Sequence, residues 1–336
     1  MKRCGACGAM FYCSEQCQKA DWRNVHKLEC EHLKTLTARE DSFLTNCCLS
    51  GTGLLALRFC LKAHLDSKFK ESKWSLHNGG ERTIDDLMHH VDEMVKCECS
   101  LKIYQPLIRD IMSLGIPGLT QDTVLVRISQ VFINSFIIEY DRRWIPNRVH
   151  GLKLLGHGLY VKQSVFDHSC VPNTHCSFIG PVQTIRATCE IDTDKEQVLI
   201  SYLVGESLCS ERNTLLRKKY YFECSCRLCT VPEAQREFMR LMDLSRTVAT
   251  STPCVRRTVS RELYEKFKLV FGEHNEDSTV FLFAMMVDQV TVLLRGHKTP
   301  SALQDYRSLT EHVAILWGLD HPNYTALLAI FAHVFN

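Results

Sequence analysis

Cys4, Cys7, His26 and Cys30 are spaced as Cys-x2-Cys and His-x3-Cys. Zinc takes four nitrogen or sulfur ligands at the corners of a tetrahedron, and short knuckles of this kind present two ligands at once. These residues therefore supply a complete Cys3His set. Cys13 and Cys17, lying between the knuckles, form a further pair with no obvious partners. Much later, Cys224-x-Cys226-x2-Cys229 offers three thiolates within a short segment, too few to close a structural site, so a distant fourth ligand is needed. Cys170, which follows His168 by two positions, is the best candidate.

The chain holds 18 cysteines in 336 residues, and its start, Met-Lys-Arg-Cys, has no apolar signal-peptide core. Reduced thiols and metal sites are thus expected in place of disulfides. Forty-five per cent apolar and 23% charged residues describe a globular protein. Lys and Arg number 40 against 38 Asp and Glu, a net charge of +2 that gives no footprint for general nucleic-acid binding. The longest apolar run, Val280 to Leu294, is broken by Asp288 and Gln289 and falls short of the ~20 residues that cross a bilayer.

The elements that position these groups are mixed. Trp22, Val25 and Leu28 recur at threes and predict a short amphipathic helix over 18–28 carrying His26. Residues 31–135 read mainly helical, with a helical stretch from Val124 to Ile138. Residues 146–206 contain short strand-like pieces, including Val198–Tyr202, with turns at Gly156, Gly158 and Gly180-Pro181. Helical spacing returns over 233–248, 258–271, 278–295, 301–317 and 322–335, with Pro253, Gly272, Pro300 and Pro322 as separators.

Phe-Tyr-Cys-Ser-Glu-Gln-Cys-Gln-Lys-Ala-Asp-Trp-x3-His-Lys-Leu-Glu-Cys, residues 11–30, resembles a MYND zinc finger. That resemblance implies a cross-braced two-zinc module that binds protein partners, often through proline-rich peptides. In such a finger an upstream Cys-x2-Cys pair completes the site of Cys13 and Cys17, and the chain begins too late to contain it. One zinc site is expected to be whole and one halved.

Asn134-Ser-Phe136, Gly156-His-Gly-Leu-Tyr160, Asp167-His-Ser-Cys-Val-Pro-Asn173, Ile200-Ser-Tyr202 and the cysteine segment ending at Cys229 resemble, in that order, the SET domain of the SMYD family. These are protein lysine methyltransferases in which a MYND finger splits the SET fold. The resemblance implies an α+β protein: a small β-rich SET fold with a post-SET zinc site, a helical insert and a C-terminal helical domain of tetratricopeptide-like form. Its expected boundaries are 1–30 for the finger, 31–145 for the helical linker and insert, 146–206 for the SET core, 207–230 for the post-SET segment and 231–336 for the C-terminal helices.

Carried over by position, the resemblance implies that Asn134 contacts the amino-acid end of S-adenosylmethionine. Asp167 and His168 would hold its adenine, chiefly through backbone atoms, and Phe222 would stack on that ring. Tyr220 would wall the channel for the substrate lysine, and Tyr202 would be the catalytic-site tyrosine. Cys170, Cys224, Cys226 and Cys229 would bind the post-SET zinc. The implied substrates are lysines of histones or other proteins, and the implied location is nucleus and cytoplasm. Three departures bear on activity. Asp167 stands where the motif usually has Asn, Lys195-Glu196 stands for Gly-Glu, and no Gly-x-Gly cofactor segment precedes the finger. Gly51-Thr-Gly53 has those letters but falls on an apparent helix after it. The chain is therefore expected to be either a methyltransferase shortened at its front or a non-catalytic, zinc-dependent adaptor.

Overall fold

The computed structural model describes residues 1–46, 50–76, 78–140, 153–203, 209–248, 252–272, 274 and 300–335. They fall into two compact units, residues 1–138 with 155–165 and residues 139–154 with 166–336.

In the first unit, β1 (Lys2–Arg3) pairs antiparallel with β2 (Phe11–Tyr12). Ser14 caps α1 (Glu15–Asp21), its hydroxyl accepting the Cys17 N–H at 3.2 Å. A π-helical turn, Trp22–His26, leads into α2 (Lys27–Thr37). The helical stretch thus runs well past the expected 18–28, because no glycine or proline interrupts residues 15–37. Such π turns are frequent at functional sites, and here the turn ends on His26.

Next come α3 (Phe43–Asn46), α4 (Ser50–Leu65), α5 (Ser67–Lys70), the β3–β4 ribbon (Trp74–Ser75 with Glu81–Arg82), α6 (Val91–Lys96) and α7 (Glu98–Ser113). Asp110 accepts from the Phe43 N–H (2.8 Å) and the Ser42 hydroxyl (2.9 Å), so the start of α3 is capped by a residue far along the chain. Gly51 and Gly53 both lie within α4. α8 (Gln121–Asn134), capped by Thr120, packs on α4, with Leu57 and Leu61 buried on α4 and Val124, Ile128 and Val131 buried on α8.

The sequence predicts helix from Val124 to Ile138, but α8 stops at Asn134 and β5 (Ser135–Tyr140) follows. Phe136, Ile137 and Ile138 favour a strand. The Asn134 amide also closes the helix end, donating to Gln130 O and Met88 O at 2.7 Å each. β5 pairs with β6 (Lys153–Leu159). A side chain at Gly158 would place its Cβ 2.6 Å from the Tyr160 ring, so this position requires glycine.

In the second unit, β7 (Asp167–His168) pairs in parallel with β10 (Leu199–Ile200), His168 lying opposite Ile200. β8 (Thr174–Ile179) and β9 (Val182–Ala187) form an antiparallel hairpin turned at Gly180, whose φ of +58° suits glycine. Asn173, just before β8, fastens this hairpin to the chain entering β10: its amide donates to Gln197 O at 2.9 Å and its oxygen accepts the Leu199 N–H at 2.8 Å.

Helices α9 (Cys209–Tyr220), α10 (Arg227–Thr230), α11 (Pro232–Val248), α12 (Pro253–Phe271), α13 (Pro300–Trp317) and α14 (Pro322–Phe335) complete the chain. α11 packs on α12, with Phe238, Leu241 and Met242 buried on the one and Leu263, Tyr264 and Phe267 on the other. α12 begins five residues before the expected start because Pro253 opens the helix and does not separate two. Proline suits the first helical turn, where its missing N–H has no partner to lose and its φ is already helical. The helix expected over 278–295 lies outside the described residues.

Candidate metal centres and aromatic site

The π turn aims His26 at the first knuckle. Its Nε2 lies 3.4 Å from Cys4 Sγ and 3.7 Å from Cys7 Sγ, and Cys4 Sγ lies 3.9 Å from Cys30 Sγ. A tetrahedral zinc with bonds of about 2.3 Å to sulfur and about 2.0 Å to nitrogen holds two thiolates about 3.8 Å apart, and a thiolate about 3.5 Å from an imidazole nitrogen. The four ligand atoms, all buried and all within 4.8 Å of one another, fit that ion. Burial opposes ionisation of Cys4, yet hydrogen bonds from the Cys7 backbone and His26 outweigh it and hold the thiol down to about 6. Cys30 is pushed up to about 12 by burial and its neighbours' charge. Thiols this close ionise together only around a cation.

Behind His26 stands a partner that the ligand spacing alone does not show. Glu29 Oε1 is 3.0 Å from His26 Nδ1, both side chains fully buried, so the imidazole donates to a carboxylate and presents Nε2 to the metal. Burial pushes the Glu29 carboxyl up, against the pull of Arg58 and His26. Arg58 of α4 answers it, with Nε 3.0 Å from Glu29 Oε2 and Nη2 paired to Asp21, which also accepts from the Tyr12 hydroxyl at 2.7 Å. The His-x2-Glu spacing could have revealed Glu29; nothing local points to Arg58. Glu29→Gln is expected to weaken zinc at this centre by roughly tenfold or more, since second-layer partners carry that much. Competition with a chromophoric chelator measures it, and an unchanged release rate would remove Glu29 from this role.

Cys13 and Cys17 are both exposed, with Sγ atoms 3.1 Å apart. Among the described residues no third Cys, His, Asp or Glu joins them.

The second centre gathers Cys170, Cys224, Cys226 and Cys229 within the same 4.8 Å limit. Cys170 Sγ lies 3.9 Å from Cys224 Sγ and 3.5 Å from Cys229 Sγ, again near a tetrahedral zinc edge. A hydrogen bond from Cys170 holds the Cys226 thiol down to about 4, while the same bond, with burial, pushes Cys170 up. Arg212 of α9 donates to Cys170 O at 3.4 Å and is itself buried, a cation beside a cluster of thiolates.

Against this centre stand four rings. Tyr202 lies 4.9 Å from Tyr220, 5.3 Å from His168 and 6.2 Å from Phe222 between centroids, and His168 lies 6.0 Å from Phe222. The Tyr202 hydroxyl donates to Phe166 O at 2.8 Å, and the Tyr220 hydroxyl donates to Tyr202 O at 3.3 Å. Tyr221, between two of these rings, has a φ of +61°, the one positive value outside glycine among the described residues. The left-handed conformation costs a non-glycine residue about 1–2 kcal/mol. It turns the chain just past α9, and both Tyr220 and Phe222 pack on Tyr202. Strain of this sort clusters at functional sites, and the sequence carries no sign of it. Asp167 is exposed beside these rings. Asn134 belongs to the first unit.

Among the described residues, no helix is long and apolar enough to cross a membrane. Residues 1–30 match the family model of the MYND finger. The chain is 26% identical over 350 residues to the N-lysine methyltransferase SMYD2 of Gallus gallus, covering 94% of this chain and 74% of that protein. To SMYD2 of Homo sapiens it is 27% identical over 330 residues, 90% of this chain and 69% of that one. To SMYD2-B of Xenopus laevis it is 26% identical over 269 residues, 80% and 57% respectively.

Proposed function

We propose that this chain, which its finger and its alignments with the SMYD2 enzymes make a member of the SMYD family, is an S-adenosylmethionine-dependent protein lysine N-methyltransferase. On this reading residues 146–206 are the SET core, 207–230 the post-SET segment and Cys170 its distant zinc ligand. The observation that carries the reading is the Tyr202, Tyr220, Phe222 and His168 ring cluster packed on the second cysteine centre.

The donor set suits the cofactor in kind. The exposed Asp167 offers an acceptor for an exocyclic amine, and Phe222 offers a ring face. When bound, the cofactor supplies an activated methyl group. The protein's own work is to align a neutral amine with it, and positioning of this kind is worth several kcal/mol.

Lysine has a reference pKa of about 10.4, and an aromatic channel disfavours the charged form. The proton of the Tyr202 hydroxyl is committed to Phe166 O, so its oxygen presents lone pairs that accept an amine N–H and orient the nitrogen. Tyr220 holds the Tyr202 backbone from behind. The zinc centres take no part in the transfer and fasten the segments that carry the rings.

Calorimetry of the zinc-loaded chain with S-adenosylmethionine tests the reading: saturable one-to-one binding is expected. Absence of binding would favour the second reading, an adaptor. That reading has its own support in the finger, where Phe11 and Trp22 are 57% and 47% exposed, a surface suited to a protein partner.

A further inference from the structure

The side chain of His168 makes two directional contacts that a backbone role in binding adenine does not use. Its Nδ1 lies 3.0 Å from the Tyr202 backbone nitrogen and its Nε2 lies 3.4 Å from Cys170 Sγ. A backbone N–H can only donate, so Nδ1 is the acceptor and the ring proton sits on Nε2, facing the sulfur. A neutral imidazole with one donor and one acceptor is then fully used. The ring is also held on its faces and edges, by Tyr202 at 5.3 Å and Phe222 at 6.0 Å between centroids.

We propose that His168 is a positioning residue that joins the Cys170 metal centre to the Tyr202 backbone, donating through Nε2 to the Cys170 thiolate and accepting the Tyr202 N–H at Nδ1. The inference rests on reading Tyr202 as the catalytic-site tyrosine, and it gives the cysteine centre a task beyond fastening the chain. The donated hydrogen bond stabilises the thiolate that ligates the metal. The accepted one holds Tyr202 two residues past β10, whose pairing with β7 stops at Ile200. Tyr202 is consequently held at three atoms: N–H by His168, carbonyl by the Tyr220 hydroxyl, and side-chain hydroxyl by Phe166 O. Disturbing the metal would move the first of these through a single side chain.

Asparagine and glutamine separate the two contacts, because the asparagine carboxamide mimics the Nδ1 position and the glutamine carboxamide the Nε2 position. His168→Asn is expected to keep the Tyr202 amide protected from hydrogen exchange and to weaken zinc at the Cys170 centre by roughly 10- to 100-fold. His168→Gln is expected to retain zinc and to speed exchange of the Tyr202 amide by roughly two- to tenfold, the weight of one ordinary hydrogen bond. Both are measured on the zinc-loaded full chain, by chelator competition and by residue-resolved exchange. If neither variant alters either property, or if both alter both equally, the proposal fails. The wild-type protein supplies a check that needs no variant to fold. Its long-range 1H–15N spectrum must show His168 with the proton on Nε2, and a proton on Nδ1 would overturn the inference. None of these readouts depends on methyl transfer, so a chain that failed to bind S-adenosylmethionine would sink the functional reading and leave this one standing.

Discussion

Replacing Cys226 with serine is expected to cost the chain one zinc equivalent and to unfasten residues 220–229. The four thiolates of that centre come from two segments that share no continuous element, Cys170 just after β7 and the other three around α10. A metal bound there would cross-link them, and its binding energy would be folding energy. Structural zinc contributes about 10–16 kcal/mol in small domains, so one ligand in four is worth on the order of 3 kcal/mol. Cys226 is also the thiol held most firmly in its charged form, through the hydrogen bond from Cys170. Serine at that position removes the soft donor and leaves Cys170, Cys224 and Cys229 crowded together. Elemental analysis should show the lost equivalent, and thermal unfolding should move to lower temperature. Cys189→Ser, at an exposed cysteine outside either centre, should change neither. Full zinc retention in Cys226→Ser would mean that the ligand set is wrong.

Tyr202→Phe should have the largest effect on chemistry and a small one on structure. The ring stays, and with it the packing on Tyr220, His168 and Phe222. Only the hydroxyl is lost, and with it the hydrogen bond to Phe166 O, worth about 1 kcal/mol of stability. The amine of a bound lysine would lose the acceptor that orients it. A misplacement of about 1 Å at a reacting group costs on the order of 100-fold in rate, so methyl transfer should fall by that order at saturating cofactor. Zinc content and S-adenosylmethionine affinity should be unchanged. Undiminished turnover would take Tyr202 out of the site.

Candidate zinc ligands are the part of this molecule that the linear order displays most openly. Cys4, Cys7, His26 and Cys30 announce themselves because a knuckle delivers two ligands from neighbouring residues, and the chain can bend that tightly only at short spacing. Cys224, Cys226 and Cys229 do so for the same reason, while Cys170 is identified only as the thiol that must complete them. Asn173 behaves differently. It stands in a recognisable motif, but its part in fastening the start of β8 to the chain entering β10 depends on where Gln197 and Leu199 arrive.

Helix boundaries show where linear reading misleads. Pro253 reads as punctuation between helices, whereas it opens α12, because proline stops a helix that reaches it and suits one that starts from it. The helix expected to run through Ile138 ends at Asn134, where the side chain finds Met88 O, a partner 46 residues away.

By itself the sequence determined which residues can ligate metal and that helices dominate both flanks of a short-stranded middle. Local spacing and periodicity suffice for these, since they are set by neighbours within a turn or two of chain. Tertiary structure alone decided that Arg58 answers Glu29 behind His26, that Tyr221 takes a strained turn beside Tyr202, and that His168 reaches both Cys170 and the Tyr202 backbone. Those choices belong to packing. A buried carboxylate, a turned backbone or an imidazole proton acquires its partner only when distant segments meet, and the low dielectric there makes the pairing matter.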